Sequence, residues 1–549
     1  MRLVLNSFLV GVLWSFPDVA LSFQQPITKK NLQLHKSQGV VPSNLFRSPL
    51  LKRSASTIDI SDEVAGTLEE QPQTKDEEGS FDWFKTWHPL VPVEILDVDV
   101  PHHFQLLGMD IVIWNDAKRN TGKFESKKTK LKKNEQVEFE EGTWRAFVDE
   151  CPHRKVPLSE GRVENDGTLF CSYHGWRFDG DGSCVDIPQV SEEKLETIAA
   201  NPKSSCNSFP TQVINGLLFV WPSNDKDAAL ESALTPVVHV PEEKDGAWFG
   251  PWNYRELPYG HDYFQENVVD PAHVMVSHHN IIGNRYTDME GEYIKSEPLS
   301  KKGFSIKSKP KNPDNPDGYT EFHAPGLVKT GFDTGAGAQR LELYSSPSRP
   351  GFSNHAGRMV ILKDDPKGPM PPAFRQFTLP LPKWANHIMA SAFLNQDALF
   401  LHHQERYLHH SNQYSTVGPQ EDDGNSYVDA ILPANSDLGV LNYRKWMSKF
   451  AGGGIPYRNY RTMPESSTDV VFDVWNGHTK HCKYCLDALR RLKKARAVSV
   501  FVAACVGVLR PFGKVPSLLA TLGLGGTGWL LHKLIGMFYR YEFSHAEND

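Results

Sequence analysis

Two short cysteine–histidine pairs constrain this chain more than anything else in it. They are Cys151-Pro152-His153 and, after seventeen intervening residues, Cys171-Ser172-Tyr173-His174. Two thiolates and two imidazoles can close a tetrahedral zinc site, or hold a [2Fe–2S] cluster with both cysteines on one iron and both histidines on the other. Zinc ligands rarely take the C-x-H spacing, which favours the cluster. Each pair falls in a loop between strand-like segments. The surrounding β-type runs, Ile111 to Trp114, Trp144 to Val148 and Leu217 to Trp221, are separated by Gly, Asn and Asp turns, so a small all-β unit is predicted. The chain has 7 cysteines in 549 residues, too few for a disulfide framework, so metal or redox chemistry is the better reading.

The second pair runs on as His174-Gly175-Trp176-Arg177-Phe178-Asp179, which resembles the second cluster-binding loop of Rieske proteins. High-potential respiratory members carry an extra cysteine in each loop. Arg154 to Ser159 and Ser172 to Tyr173 contain none, so the resemblance implies a potential at the low end of the Rieske range, suited to an oxygenase's electron relay.

Downstream stands Glu266-Asn267-Val268-Val269-Asp270-Pro271-Ala272-His273, followed by His278 and His279. Two histidines and one carboxylate on one face of Fe(II) leave the opposite face open for dioxygen and substrate. Five helical steps turn roughly 500°, so His273 and His278 share no face of an ideal helix and one must lie at a distorted turn or helix end. The Asp270, His273, His278 spacing is similar to the catalytic domain of Rieske non-haem iron oxygenases. That resemblance selects His278 over His279 and implies a third ligand far downstream, for which Asp397 is chosen and Glu405 is the alternative. It also implies that Asp270 is not a ligand: it hydrogen-bonds His273 and bridges to a cluster histidine of a neighbouring subunit, in a head-to-tail homotrimer. One [2Fe–2S] cluster and one mononuclear Fe(II) are the expected cofactors.

The rest of the chain divides by composition. Residues 1–22 read as a signal peptide, with Arg2, an apolar run from Leu3 to Phe16 and Ala20-Leu21-Ser22 at a cleavage site. Residues 23–58 hold no acid while carrying Lys29, Lys30, Lys36, Arg47, Lys52 and Arg53, as in a transit peptide. Together they resemble the bipartite presequences of complex plastids. An acidic linker (59–80) precedes the Rieske domain (81–225). An α+β catalytic domain (226–471) follows, with a predicted helix over Tyr263 to His279 and strand-like runs at Arg358 to Leu362 and His387 to Phe393. A CxxC segment (472–495) leads to two apolar runs, Ala497 to Leu509 and Val515 to Leu531, read as a membrane-anchoring hairpin (496–540) flanked by Arg496, Arg510, Lys514 and Lys533. The predicted fold class is therefore α+β multidomain, with the antiparallel, helix-grip-like catalytic sheet that the resemblance implies. A net charge of −7 gives no basic field for nucleic acid.

Just before the hairpin, His478, His481, Cys482 and Cys485 form H-x-x-H-C-x-x-C, open to three readings: a redox-active dithiol, a zinc site or incidental thiols. With the other motifs, and with Asp82-Trp83-Phe84 and Trp87-His88-Pro89-Leu90, it resembles the plastid branch of Rieske oxygenases that comprises pheophorbide a oxygenase, protochlorophyllide a oxygenase and the translocon-associated inner-envelope Rieske protein. The resemblance implies a chlorophyll-derived tetrapyrrole substrate, O2, ferredoxin as electron donor, a plastid membrane location and thioredoxin as a possible partner of Cys482 and Cys485. An oxygenase for another apolar substrate and a non-catalytic redox component of protein import are the alternatives.

Overall fold

The computed structural model describes residues 81–545 apart from 119–141, 243–245, 280–284, 287–290, 311–316, 334–336, 364–369, 371–377, 379, 415–431 and 460–461. The expected signal peptide, transit peptide and linker lie outside the described residues.

Short runs of β-branched and aromatic residues make the first strands, as their pleated, half-buried setting favours. β1 (His88–Pro92), β2 (His102–Leu106), β3 (Met109–Asn115), β4 (Trp144–Val148), β5 (Arg162–Val163), β6 (Leu169–Phe170), β7 (Arg177–Phe178), β8 (Cys184–Asp186), β9 (Ser208–Phe209), β10 (Thr211–Ile214) and β11 (Leu217–Val220) form three sheets. Their orders are β2-β3-β4-β9, β5-β6-β7-β8 and β1-β11-β10. The β10–β11 hairpin turns on Asn215-Gly216, at φ of 53° and 77°, the left-handed pair that a two-residue hairpin loop requires. Between the first two sheets Val112, Trp114, Phe147, Leu169 and Phe178 pack against Cys151, Cys171, Cys184 and Cys206. Cys184 and Cys206, to which the sequence assigns no role, are core filler there.

The second region is built on an eight-stranded antiparallel sheet. Its strands are β12 (Ala247–Phe249), β13 (Asn253–Leu257), β14 (Gly291–Ser296), β15 (Gly303–Pro310), β16 (Gly318–His323), β17 (Leu327–Asp333), β18 (Gly337–Arg349) and β19 (Phe352–Lys363). The order is β12-β19-β18-β17-β16-β15-β14, with β13 also paired to β19. Arg358 to Leu362 lies within β19, as expected.

Two expectations fail. The helix over Tyr263 to His279 is two helices, α1 (His261–Val268) and α2 (Ala272–Ser277). Pro271 separates them, since it disfavours helical backbone in the residue before it and offers no N–H to continue the ladder. The strand-like run His387 to Phe393 is instead part of α3 (Lys383–Tyr414), a helix of 32 residues. That run holds a single β-branched residue, Ile388, among Met, Ala and other helix-compatible side chains, and no glycine or proline interrupts it. α1 packs on β18 and α3 on β13, placing both helices over the sheet.

One buried cluster takes Trp83, Leu90 and Ile113 from the N-terminal strands, Ile306 and Phe322 from the large sheet, Trp446 from α4 (Leu438–Phe450), and Cys482, Leu489 and Phe538 from the C-terminal segment. The core is also rich in buried histidine. Burial pushes His88 and His355 down to about 4 and His261 down to about 3. Each is neutral when folded and takes up a proton on unfolding below its ordinary value of 6.5, so stability is fully present above pH 6.5 and lost as pH falls toward 4. Each group contributes about 1.4 kcal/mol per pH unit in that window. The melting temperature is therefore expected to fall steadily from pH 6.5 to 5; a flat profile there would contradict the assignment.

The chain ends in a helical hairpin, α5 (Lys483–Leu509) and α6 (Lys514–Met537), with Ser499 Oγ donating to the Leu524 carbonyl between them. Arg510 at φ 47° and Gly513 at φ 87° make the turn. Val498, Phe501, Val508, Leu509, Phe512, Leu518, Leu519, Leu522 and Trp529 are exposed along it. Among the described residues α6 is the one helix long and apolar enough to cross a membrane, with 11% of its apolar window buried. Beyond the hairpin the chain returns to the body: Asn395 Nδ2 on α3 donates to the Tyr541 carbonyl.

Candidate metal centres

The Cys151 loop follows β4 and the Cys171 loop joins β6 to β7, and the two have the same backbone. In each the cysteine carbonyl accepts from the N–H four residues on, Lys155 or Gly175, and the cysteine N–H donates to the carbonyl five residues on, Val156 or Trp176. The residue four on is left-handed in both, Lys155 at φ 58° and Gly175 at φ 78°. At Gly175 a Cβ would also stand 3.0 Å from Pro188 Cγ, so glycine suits both the conformation and the space.

This repeated turn sorts the four side chains by depth. Cys151 and Cys171 are 2% and 1% exposed and belong to the same buried cluster. The neighbouring Cys151 thiol holds Cys171 down at about 6. His153 is exposed and His174 half-buried, their ring centroids 4.7 Å apart, with Trp176 stacked on His153 at 4.9 Å. A single tetrahedral ion would draw all four donors to one point. Among the described residues the sets of three or more donors that converge within 4.8 Å are found elsewhere. Thiols together inside and imidazoles together outside fit a binuclear [2Fe–2S] cluster with its histidine edge toward solvent.

His273, His278 and Asp397 form one of those convergent sets. His273 lies in α2, His278 caps its end, and Asp397 projects from α3. Asp397 Oδ2 is 3.1 Å from His278 Nε2 and 3.9 Å from His273 Nε2. Both rings are oriented from behind. His278 Nδ1–H donates to Gln396 Oε1 at 2.6 Å while its ring stacks on Phe393 at 3.9 Å, and His273 Nδ1–H donates to the Asp270 main-chain carbonyl. Both Nε2 atoms are thus presented to Asp397. Burial alone would raise the Asp397 carboxyl, but the His278 contact and nearby His273 outweigh it and hold it below its ordinary value. Asp397 Oδ1 is buried without a hydrogen-bond partner, and a cation at this point would satisfy it. The donor set of two imidazoles and one carboxylate fits Fe(II).

The alternatives are turned elsewhere. Glu405 accepts from the Gly260 N–H at 2.9 Å and pairs with Arg406 at 3.3 Å, capping the start of α1. Burial pushes its carboxyl up to about 8. His279 Nδ1 accepts from the Arg285 N–H at 3.2 Å. The Asp270 carboxylate does not hydrogen-bond His273: Oδ2 is 3.9 Å from the ring, and Oδ1 accepts from the Ala272 N–H at 2.8 Å. Cys482 and Cys485 are buried side by side with His478 and with His387 of α3. His481 is not with them; it stacks on Phe104 at 4.9 Å.

Sequence reasoning passed over Gln396 and His387, although Gln396 adjoins the chosen carboxylate. Gln396→Leu is expected to lower iron affinity roughly 10- to 100-fold by freeing the His278 ring, with cluster absorbance unchanged. Iron titration of cluster-loaded protein checks it, and unchanged affinity would remove the residue from the site.

The chain is similar to known proteins along most of its length. The Rieske [2Fe-2S] domain profile matches residues 86–210, and the profile named pheophorbide a oxygenase matches residues 322–414. The chain is 30% identical over 587 positions to pheophorbide a oxygenase, chloroplastic, of Arabidopsis thaliana, covering 100% of each. It is 28% identical to flavonoid 8-hydroxylase 2, chloroplastic, of Ocimum basilicum, covering 96% of this chain and 98% of that one. To protochlorophyllide-dependent translocon component 52, chloroplastic, of Arabidopsis thaliana it is 26% identical, covering 87% and 88%.

Proposed function

The chain belongs to the pheophorbide a oxygenase family of Rieske non-haem iron oxygenases, and we propose that it is a ferredoxin-dependent monooxygenase of a chlorophyll-derived tetrapyrrole, pheophorbide a first among them. The observation that carries the oxygenase reading is the convergence of His273, His278 and Asp397 around an orphaned carboxylate oxygen. Two electrons and two protons accompany O2; one oxygen atom enters the substrate, opening the macrocycle in the case of pheophorbide, and the other leaves as water.

Cys151, His153, Cys171 and His174 would hold the [2Fe–2S] cluster, and His273, His278 and Asp397 the Fe(II). The cluster supplies single electrons and the iron supplies O2 activation. The protein's part is orientation: Gln396 and Phe393 fix His278, and the Asp270 carbonyl fixes His273 with Nε2 facing inward. That leaves the Asp270 carboxylate free of the ring, 25% exposed and available to a cluster histidine of a neighbouring subunit, as the expected homotrimer requires.

Relatives named chloroplastic and the presequence-like residues 1–58 support a plastid location. The apolar faces of α5 and α6 support a membrane anchor, which would keep an apolar substrate close to the active site. Phe501→Glu with Leu519→Glu is expected to move the protein from floating vesicles to the soluble fraction, since charge in the bilayer costs roughly 2.5–3.5 kcal/mol per residue. A double variant that still floats would contradict the anchor.

Flavonoid 8-hydroxylase 2, a relative matched along nearly the whole chain, motivates a second reading, a flavonoid substrate. Purified protein supplied with ferredoxin, reductase and O2 should be given pheophorbide a, protochlorophyllide, chlorophyllide and a flavone. Consumption of a tetrapyrrole supports the first reading; consumption of the flavone alone supports the second.

A further inference from the structure

We propose that His387, His478, Cys482 and Cys485 bind one structural Zn2+, separate from both iron centres, which fastens the helix carrying Asp397 to the base of the apolar hairpin. The four ligand atoms lie within 4.8 Å of one another. His478 Nε2 is 3.3 Å from Cys485 Sγ, while His387 Nδ1 is 3.4 Å from Cys482 Sγ and 3.5 Å from Cys485 Sγ. Bond lengths of about 2.3 Å to sulfur and 2.0–2.1 Å to nitrogen put tetrahedral donors roughly 3.3–3.8 Å apart, so these side chains already stand at coordination spacing.

All four residues are at most 2% exposed. Isolated thiols are weak hydrogen-bonding partners for two buried imidazoles. His387 Nε2 makes no hydrogen bond, so its Nδ1 contacts to the two thiols are what orient this buried imidazole, with Nδ1 as the ligand atom. His478 is prepared differently: its Nδ1–H donates to the Tyr254 carbonyl at 2.7 Å, which fixes the tautomer and leaves the Nε2 lone pair facing Cys485. Zn2+ with two thiolates and two neutral imidazoles is electrically neutral, and four-coordinate S2N2 sites favour zinc. Binding releases the two thiol protons to solvent and involves no redox change.

The position gives the ion a use. Cys482 caps α5 and Cys485 lies in its first turn, just ahead of the apolar hairpin, and His478 belongs to the turn before it. His387 comes from α3, about 15 Å along the helix from Asp397. A closed site with four protein ligands offers no position for substrate, so its role is to hold the catalytic helix and the anchor in register.

Elemental analysis of the full-length protein after exhaustive dialysis tests the site. One zinc per chain is expected beside the iron. Cys482→Ser and Cys485→Ser should each drop zinc to near zero while the cluster absorbance stays, and Asp397→Ala should keep zinc while losing mononuclear iron. Co2+ exchanged into wild-type protein should give the thiolate charge-transfer and tetrahedral ligand-field bands, a readout that needs no variant to fold. Wild-type protein without zinc and with a Cys482–Cys485 disulfide would overturn the site and give the pair to thiol exchange, as with thioredoxin. Zinc retained in both serine variants would overturn it equally.

Discussion

Asp397→Asn is expected to abolish O2-dependent product formation, by well over a hundredfold, while the Rieske cluster keeps its absorbance and electron paramagnetic resonance. The magnitude follows because residues that merely orient a ligand cost roughly 10- to 100-fold, and Asp397 is proposed as a ligand itself. Its Oδ2 faces both imidazoles, and its Oδ1 is buried with no other partner. A neutral amide keeps the shape and removes the charge. Glu405→Gln is the contrast: that carboxyl, already pushed up toward neutrality, caps α1 through Gly260, and its replacement should leave the iron content unchanged. Loss of iron from Glu405→Gln but not from Asp397→Asn would exchange the two assignments.

The second large effect is expected from Asp270→Asn. Because His273 is oriented by the main-chain carbonyl of residue 270, the substitution leaves that hydrogen bond in place, and the amide oxygen can still accept from the Ala272 N–H. Iron should therefore stay bound. What disappears is the partly exposed carboxylate proposed to deliver electrons between subunits. Steady-state turnover should fall on the order of a hundredfold, while peroxide-driven single turnover, which needs no electrons from the cluster, persists. Loss of iron would make Asp270 a tether, and full steady-state activity would remove it from the electron path.

The two Cys–His pairs were legible in the sequence, because each is local and its loop folds on its own backbone hydrogen bonds. The iron site was less visible. His273 and His278 are near neighbours, but Asp397 sits far along the chain on another helix, and only the resemblance pointed to that stretch. Choosing it over Glu405 needs three dimensions: eight residues turn an ideal helix roughly 800°, so the two carboxylates face different ways. His387 was hidden for two reasons. It fell in a run read as a strand, and it joins His478 and the CxxC pair across 91 positions of sequence. The nearby His481, part of the same motif, stacks on Phe104 instead. The break in the helix at Pro271, by contrast, was written in the proline itself.

Insertion of oxygen from O2 into a chlorophyll-derived tetrapyrrole is the activity proposed for this chain. Its most direct test is incubation of the full-length, metal-loaded protein with pheophorbide a, ferredoxin, ferredoxin reductase and 18O2, followed by mass spectrometry of the pigment. A ring-opened product carrying one 18O atom per molecule is expected, absent from Asp397→Asn. Recovery of pheophorbide a, protochlorophyllide and chlorophyllide all unlabelled and unchanged would contradict it.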